Sequence, residues 1–180
     1  MNKDLERIIE IPEGVEVVVS KNKVTVKGNG KELVREFDKG KVSMAVADGK
    51  FVLTAKGATR RESKMIGTIW AHLKNMIKGV GKEFVYELEI ANVHFPMNVK
   101  AGGDKVTIKS FLGETTLREA RIMPNAKVEV KGSQITVTSH DIEAAGQTAA
   151  NLEKATRLTG RDRRIFQDGI FITKKPYRVI

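Results

Sequence analysis

Short runs of alternating apolar and polar residues dominate the chain, and most pairs of runs are separated by residues that favour tight turns. "VEVVVSKNKVTVKG" (15–28) has two valine-rich runs around Lys21 and Asn22, and "NVKAGGDKVTIKS" (98–110) has two around a glycine pair. A side-chain period of two with turn formers between the runs is typical of a β-hairpin. We therefore predict one hairpin in each segment.

Two further pairs of runs follow the same pattern. "VSMAVADGKFVLTA" (42–55) turns at Asp-Gly in positions 48–49, and "KVEVKGSQITVTS" (127–139) turns at Gly-Ser in positions 132–133. Each segment predicts another hairpin.

After the second hairpin the apolar period changes to that of a helix. Thr59 and Glu62 have the spacing of a capping box, and apolar residues follow at helical spacing until Gly79 supplies a stop. The apolar positions are Met65, Ile66, Ile69, Leu73, Met76 and Ile77. The pattern predicts a helix with one apolar face.

A second helix is predicted late in the chain. Asp141 is a suitable N-cap, and small or apolar residues recur on one face of a run that we expect to end near Gly160. These residues are Ile142, Ala145, Ala149 and Leu152. Small side chains on that face would let the helix lie close to a sheet.

The chain is similar to itself at an offset of 82 to 83 residues. "VTVK" (24–27) returns as "VTIK" (106–109), and Arg-Glu at 35–36 returns at 118–119. Self-similarity at a fixed spacing indicates two copies of one structural unit. The copies join near "KGVGK" (78–82).

Both copies place their strands in a block before their helix, and the tight turns allow only antiparallel pairing between neighbouring strands. The sequence therefore predicts an α+β fold of two duplicated domains. Each domain is predicted to be an antiparallel sheet covered on one face by one helix, in residues 1–82 and 83–180.

Composition narrows the class of protein. Of the 180 residues 41% are hydrophobic and 30% charged, which suits a soluble chain with a core, and the absence of cysteine excludes disulfides and thiolate metal sites. The first residues lack the apolar region of a signal peptide, and no run approaches the roughly 18 apolar residues of a membrane span. We expect an intracellular, cytoplasmic protein with no membrane partner.

The formal net charge of +10 is concentrated in two stretches of the chain. Residues 60–82 hold six cations against one anion, and residues 154–178 hold eight against two. A surface that only maintains solubility usually mixes both signs, so this concentration favours a polyanionic partner.

The sequence lacks the residue patterns of an enzyme. His72, His94 and His140 are isolated from one another, and none forms a short-spaced metal-ligand pair. In the tripeptide Ser139-His140-Asp141, neighbouring side chains project in different directions, whereas a working triad is assembled from distant segments. The glycine motifs lack the spacing of phosphate loops. We expect no catalytic activity, small-molecule substrate, cofactor or metal site.

Cations continue through and beyond the second predicted helix. Lys154, Arg157 and Arg161 have the spacing of one helical stripe, and Arg163 and Arg164 follow. The simplest alternative is that these cations complement the helix dipole. Arginine suits phosphate, however, and arginines with nearby aromatic rings, here Phe166 and Phe171, suit an irregular RNA.

The apolar residues of the final segment predict how it is anchored. We expect it to fold back onto the second sheet around a turn at Asp168-Gly169, with its apolar side chains packed inward and its cations facing out. The inward residues are Phe166, Ile170, Phe171 and Ile172. The predicted RNA-binding residues are Lys154, Arg157, Arg161, Arg163, Arg164, Lys174, Lys175 and Arg178, of which the last three are chosen on charge alone.

Five motifs, in order along residues 11–173, resemble those of the large-subunit ribosomal protein L6 family in its archaeal and eukaryotic form. They are "AHLKNMIKGV" (71–80), "HFPMNV" (94–99), "FLGE" (111–114), "GQTAANLEKAT" (146–156) and "RDRRIFQDGIFI" (161–172). Any one of them alone would be weak, but the set in this order is specific.

The resemblance implies a ribosomal RNA-binding protein of two duplicated α+β domains without catalytic activity. It implies that the second domain carries the main contacts to large-subunit ribosomal RNA, near the stalk base and the site of translation factors, beside neighbouring ribosomal proteins. Two alternatives remain from the residues themselves. They are a freestanding RNA-binding or chaperone protein, and a protein-interaction module that uses exposed strand edges.

Overall fold

The computed structural model of the protein describes residues 3–38, 40–47 and 49–179. The chain divides into two compact units, Met1–Lys82 and Glu83–Ile180, and each has an apolar core of its own. Both units contain antiparallel sheets and one long helix in the same order along the chain. The predicted duplication of an α+β domain is therefore confirmed.

The described residues of the first unit form six strands, which are β1 (Lys3–Glu10), β2 (Val15–Ser20), β3 (Lys23–Gly28), β4 (Lys31–Glu36), β5 (Ser43–Ala47) and β6 (Lys50–Ala58). They form two three-stranded antiparallel sheets, in the orders β1-β6-β5 and β2-β3-β4. The structure thus adds a second sheet to the predicted one, because β1 pairs with the distant β6 while consecutive hairpins join β2, β3 and β4.

Both predicted hairpins of this unit form. The turn between β2 and β3 is made by Lys21 and Asn22, and Lys21 has a φ of 51°. Strands β5 and β6 also pair antiparallel. Of the Asp48-Gly49 turn predicted between them, Asp48 lies outside the described residues.

Helix α1 (Arg60–Gly81) begins at the predicted capping box. The backbone N–H of Arg61 donates to Oγ1 of Thr59 at 3.3 Å, and the N–H of Thr59 donates to Oε2 of Glu62 at 2.9 Å. The helix continues past the predicted stop at Gly79 by two residues, and its buried face lies against both sheets of the unit.

The second unit repeats this order and extends it. Its strands are β7 (Phe84–Ala91), β8 (Asn98–Gly102), β9 (Lys105–Lys109), β10 (Arg118–Arg121), β11 (Lys127–Lys131), β12 (Gln134–Ser139), β13 (Gly169–Lys175) and β14 (Arg178–Val179). One sheet has the order β10-β9-β8 and the other β11-β12-β7-β13-β14. The two predicted hairpins, β8–β9 and β11–β12, are confirmed.

Helix α2 (Ile142–Ala155) is capped by the Asp141 side chain, as predicted, and buries its alanine-rich face. The helix lies close to the sheet. A side chain added at Gly146 would approach the hydroxyl oxygen of Tyr86 to 3.0 Å.

The predicted helix end near Gly160 is wrong, because α2 ends at Ala155. Thr156 follows as the C-cap, and its hydroxyl accepts a hydrogen bond from the backbone N–H of Ile170. Arg157 and Arg161 therefore lie beyond the helix and do not share a helical stripe with Lys154.

The final segment joins the second sheet, where β13 pairs with β7 along its length. Ile170 is fully buried, and Phe166 and Ile172 pack against the core, as predicted. Two details of the prediction are wrong. Phe171 is 44% exposed, because alternate residues of a strand face opposite sides of the sheet. The chain reverses between β13 and β14 rather than at Asp168-Gly169.

Candidate nucleic-acid interface

The carboxyl end of α2 is fixed by Arg118 at the start of β10. Its guanidinium donates to the carbonyl of Ala155 at 2.9 Å and to the carboxylate of Glu114 at 2.8 and 2.9 Å. It also lies 4.3 Å from the ring centre of Phe111. Hydrogen bonds from Arg118 lower the pKa of Glu114, so this carboxylate is ionised at neutral pH. A cation at the last turn complements the helix dipole and holds the segment that carries Lys154.

Thr156 joins the end of α2 to the start of β13. Its hydroxyl donates to the carbonyl of Glu153 at 3.3 Å and accepts from the N–H of Ile170 at 2.9 Å. The side chain is buried, and a buried backbone N–H without a partner would be costly. The hydroxyl therefore fixes both ends of the loop that carries the arginines, residues 157–168.

A buried carboxylate fixes the same loop to the loop between β7 and β8. Asp168, 2% exposed, accepts from the backbone N–H of His94 at 2.9 Å, and its other oxygen lies 2.6 Å from Nδ1 of His94. Burial alone would raise the pKa of Asp168. The hydrogen bonds that Asp168 accepts from His94, together with the electrostatic attraction between the two side chains, lower this pKa instead. The His94 ring also lies 5.0 Å from the ring of Phe166.

Within the arginine loop, Arg164 is held by a local anion. Its backbone N–H donates to Asp162 at 2.9 Å, and its guanidinium donates to the same carboxylate at 2.8 Å. The interaction raises the pKa of Arg164 and lowers that of Asp162. Both side chains are well exposed, so this pair organises the turn more than it stabilises the unit.

The other cations of the region are exposed and differently engaged. The guanidinium of Arg161 lies 4.9 Å from the ring centre of Phe166, a cation–π distance. Lys154, Arg157 and Arg163 make no ion pair within the described part of the chain. Their charges are therefore available to a ligand.

An open groove of about 780 Å³ runs between α2, the arginine loop and β13. Its lining combines free cations with aromatic rings. Lys154, Arg157 and Arg163 line it together with Phe166 and Phe171. We call this region the cationic groove.

The remaining three predicted residues lie elsewhere. Lys174 and Lys175 end β13, about 20 Å from its start at the cationic groove, and Arg178 lies opposite Lys175 on β14. Nζ of Lys174 is 2.7 Å from a carboxylate oxygen of Glu87. The structure therefore places three of the eight predicted cations, Lys154, Arg157 and Arg163, at the cationic groove and two more, Arg161 and Arg164, in the same loop, and it separates the remaining three.

Sequence reasoning missed the residues that position the groove. In the sequence Arg118 is only part of a repeated dipeptide, and His94 is an isolated histidine that opens the motif "HFPMNV" (94–99). The "FLGE" motif was a usable signal, since its first and last residues, Phe111 and Glu114, are partners of Arg118. For Asp168 the sequence predicts a turn and a place in a motif, but it does not indicate the contact with His94, which lies 74 residues away.

The groups considered for catalysis have structural partners. The hydroxyl of Ser139 donates to the carbonyl of Asn125 at 2.8 Å, and Asp141 caps α2. His140 lies 3.0 Å from a carboxylate oxygen of Glu83. Across the described residues, no three His, Cys, Asp or Glu side chains are grouped so that they could hold a metal ion. Nor does any described helix have the length and apolarity needed to cross a membrane.

The family model described as ribosomal protein L6 matches the chain twice, over residues 11–83 and 95–169. The two matches follow the duplication of the fold. They also confirm the resemblance drawn from the five sequence motifs.

Three archaeal proteins, each named large ribosomal subunit protein uL6, are similar over nearly their whole length. The protein of Methanobrevibacter smithii is 47% identical over 93% of this chain and 94% of its own. That of Aeropyrum pernix is 44% identical over 97% and 98%. That of Sulfurisphaera tokodaii is 44% identical over 93% and 90%.

Proposed function

Because the chain belongs to the ribosomal protein L6 family, it is a structural, non-enzymatic component of the ribosome in the cytoplasm, and we propose that it binds and orders ribosomal RNA in the large subunit. The second unit makes the main contacts. Their location is near the stalk base and the site where translation factors act, with neighbouring ribosomal proteins alongside.

The observation that carries this proposal is the cationic groove. Lys154, Arg157 and Arg163 lie around one concave surface and have no ion pair among the described residues. They project from segments held by Arg118 and Thr156. A ligand that pairs with them loses little conformational entropy, because the backbone beneath them is already fixed.

Phosphate is the group that this surface fits best. Arginine offers a planar set of donors that matches two phosphate oxygens, whereas lysine acts as a point charge. The exposed ring of Phe171 provides a face on which an unstacked base can lie. Phosphates and unstacked bases occur together in folded RNA loops.

The other predicted cations have distinct roles in this proposal. Arg161 extends the groove and keeps Phe166 in place by stacking on it. Arg164 reaches a phosphate only in competition with Asp162. Lys174, Lys175 and Arg178 form a second contact with the RNA backbone at the far end of β13.

Sedimentation of the tagged chain from cell lysate tests the assembly that we propose. We expect stoichiometric migration with the large subunit that is lost after RNase treatment. Migration as a free protein would contradict the proposal, and so would association with an RNase-resistant partner, which the interaction-module alternative predicts.

A binding experiment tests the groove itself. Arg157→Ala/Arg163→Ala is compared with Lys31→Ala/Lys56→Ala, a control that removes two exposed cations from the first unit. We expect the groove variant to bind a large-subunit ribosomal RNA transcript at least tenfold more weakly, since a hydrogen bond to a charged group contributes about 1.5–3 kcal/mol. Equal affinities of the two variants would contradict the role of the groove.

A further inference from the structure

The small sheet of the second unit has a basic face that neither the sequence windows nor the cationic groove includes. Its exposed cations come from three strands: Lys100 from β8, Lys105 and Lys109 from β9, and Arg121 from β10. Glu119 is the single anion among these strand positions, so the formal charge is four minus one, or +3. We call this surface the basic sheet face.

Strand register places these cations on one side of the sheet. Lys105 lies directly opposite Arg121, and Lys100 lies opposite Thr107, two residues along β9. The intervening residues Val106 and Ile108 are fully buried and face the core. The four cations therefore project away from the core, and each lies about 5–8 Å from its nearest neighbour in the set.

The corresponding sheet of the first unit shows that the fold does not require this charge. "KVTVK" in β3 matches "KVTIK" in β9, so each middle strand carries two outward lysines. In the first unit Lys27 lies between Glu16 and Glu32, with its Nζ 3.6 Å from the carboxylate of Glu32.

The other lysine of β3, Lys23, lies opposite Glu36. The centre of that face is apolar, with Val18 44% and Val34 58% exposed. Its formal charge is two minus three, or −1. The middle strands of the two sheets thus have nearly the same sequence, whereas the strands that flank them differ in charge.

Flanking anions are largely absent from the second unit. Lys109 lies opposite Asn98, and Lys105 lies between Gly102 and Arg121. Two like charges directly opposite each other destabilise a sheet. Glu119 relieves this for Lys105 alone, at 2.9 Å. Lys100, Lys109 and Arg121 have no side-chain ion pair within the described residues.

We propose that the basic sheet face is a further contact surface for the phosphate backbone of ribosomal RNA. This inference rests on the proposed function, which supplies an RNA partner, and it adds a surface distinct from the cationic groove. Successive phosphates of an RNA strand are separated by a distance similar to the spacing of neighbouring cations on this face. Lysine and arginine side chains that contact phosphates carry no base information, so this contact depends on charge and is independent of base sequence.

Salt dependence of binding tests the proposal. Lys100→Gln/Lys109→Gln is compared with Lys23→Gln/Lys27→Gln, which removes two lysines from the matching sheet of the first unit. The probe is an in vitro transcript of the complete large-subunit ribosomal RNA of Methanobrevibacter smithii. The slope of log K against log salt concentration is negative, and we expect its size to fall by about 1.5 in the first variant and to stay unchanged in the second, because each lost phosphate contact lowers that size by about 0.7–0.9.

The Arg161→Ala/Arg163→Ala/Arg164→Ala variant separates this inference from the proposed function. If that variant lowers the slope and Lys100→Gln/Lys109→Gln does not, the inference is overturned and the proposed function stands. If neither lowers the slope, the proposed function fails and the inference fails with it.

Lysine acetylation of the unaltered protein is an independent measurement that needs no folded variant. We expect Lys100 and Lys109 to be protected in large subunits relative to the free chain, and Lys23 and Lys27 to react equally in both. Equal reactivity of all four lysines would overturn the inference. Protection of Lys100 and Lys109 without any change of salt slope in their variant would show that an acidic protein covers this face, which also overturns the assignment to RNA.

Discussion

The two units share one sequence of elements, yet differ in what lies beside their first strand. Among the described residues of the first unit, β1 is an edge strand of its sheet. In the second unit the equivalent strand, β7, pairs with β13. The added strand completes the cationic groove and fixes the arginine loop. The elements common to both units thus form the scaffold, and the segment that follows α2 in the second unit completes the candidate site.

The same comparison holds for the surfaces of the small sheets. Outward lysines occur at matching positions of β3 and β9, but glutamates lie directly opposite them only in the first unit. Core positions are kept in both units because each sheet must bury one face. Outward positions are free to diverge, so differences between the two copies are informative about binding.

The largest expected effect is a loss of stability when a core residue of β13 is replaced. Ile170→Ala should destabilise the second unit by about 2–5 kcal/mol, because it leaves a cavity at a fully buried position. The adjacent Phe171→Ala, at a partly exposed position of the same strand, is the control and should cost much less. Urea denaturation measures both, and equal losses would show that β13 does not act as a core strand.

Removing the hydrogen bonds between Asp168 and His94 should have the next largest effect on stability. Asp168→Asn replaces the carboxylate that accepts both hydrogen bonds, and it should lower the free energy of unfolding by about 1–3 kcal/mol at pH 7. The pKa of Asp168 is lower in the folded state, so its contribution is present above the unfolded pKa of about 3.9 and is lost as the pH falls through the folded pKa.

The stabilities of wild type and Asp168→Asn should therefore converge on acidification below about pH 4. Denaturation midpoints measured at several pH values check this. The exposed Asp162→Asn in the same loop is the control, and a stability difference for Asp168→Asn that is independent of pH would contradict the assignment.

Alanine at Arg161, Arg163 and Arg164 should separate binding from folding. We expect RNA affinity to fall at least tenfold, with a weaker salt dependence, because up to three phosphate contacts are lost. The melting temperature should stay close to that of the wild type, since all three side chains are exposed. Loss of folding in this variant would make the arginine loop a structural element rather than a contact surface.

The smallest expected effect is an increase in RNA affinity. Asp162→Asn keeps an oxygen for the backbone N–H of Arg164 but removes the charge that holds its guanidinium. RNA affinity should rise about twofold to fivefold, the size of one surface ion pair. A decrease in affinity would mean that the Asp162 pair positions Arg164 for binding instead of competing for it.

The sequence was sufficient for the repeated elements because their signals are local. Period-two runs, turn formers and the capping box at Thr59 each depend on residues within a few positions. It failed at the end of α2 because that boundary depends on Thr156 and Ile170, which are 14 residues apart. A helical pattern alone cannot show that the cap binds a later strand.

For the candidate site, too, some features follow from local sequence and others depend on the tertiary structure. The sequence by itself determined the duplicated α+β fold, the cation-rich final segment and the family, since composition, period and motif order are properties of the chain alone. Only the tertiary structure decided which cations share a surface, that Arg118, His94 and Asp168 position them, and that a second basic face exists on the small sheet. The physical reason is that strand register and side-chain hydrogen bonds join residues far apart along the chain, and no local pattern encodes those distances.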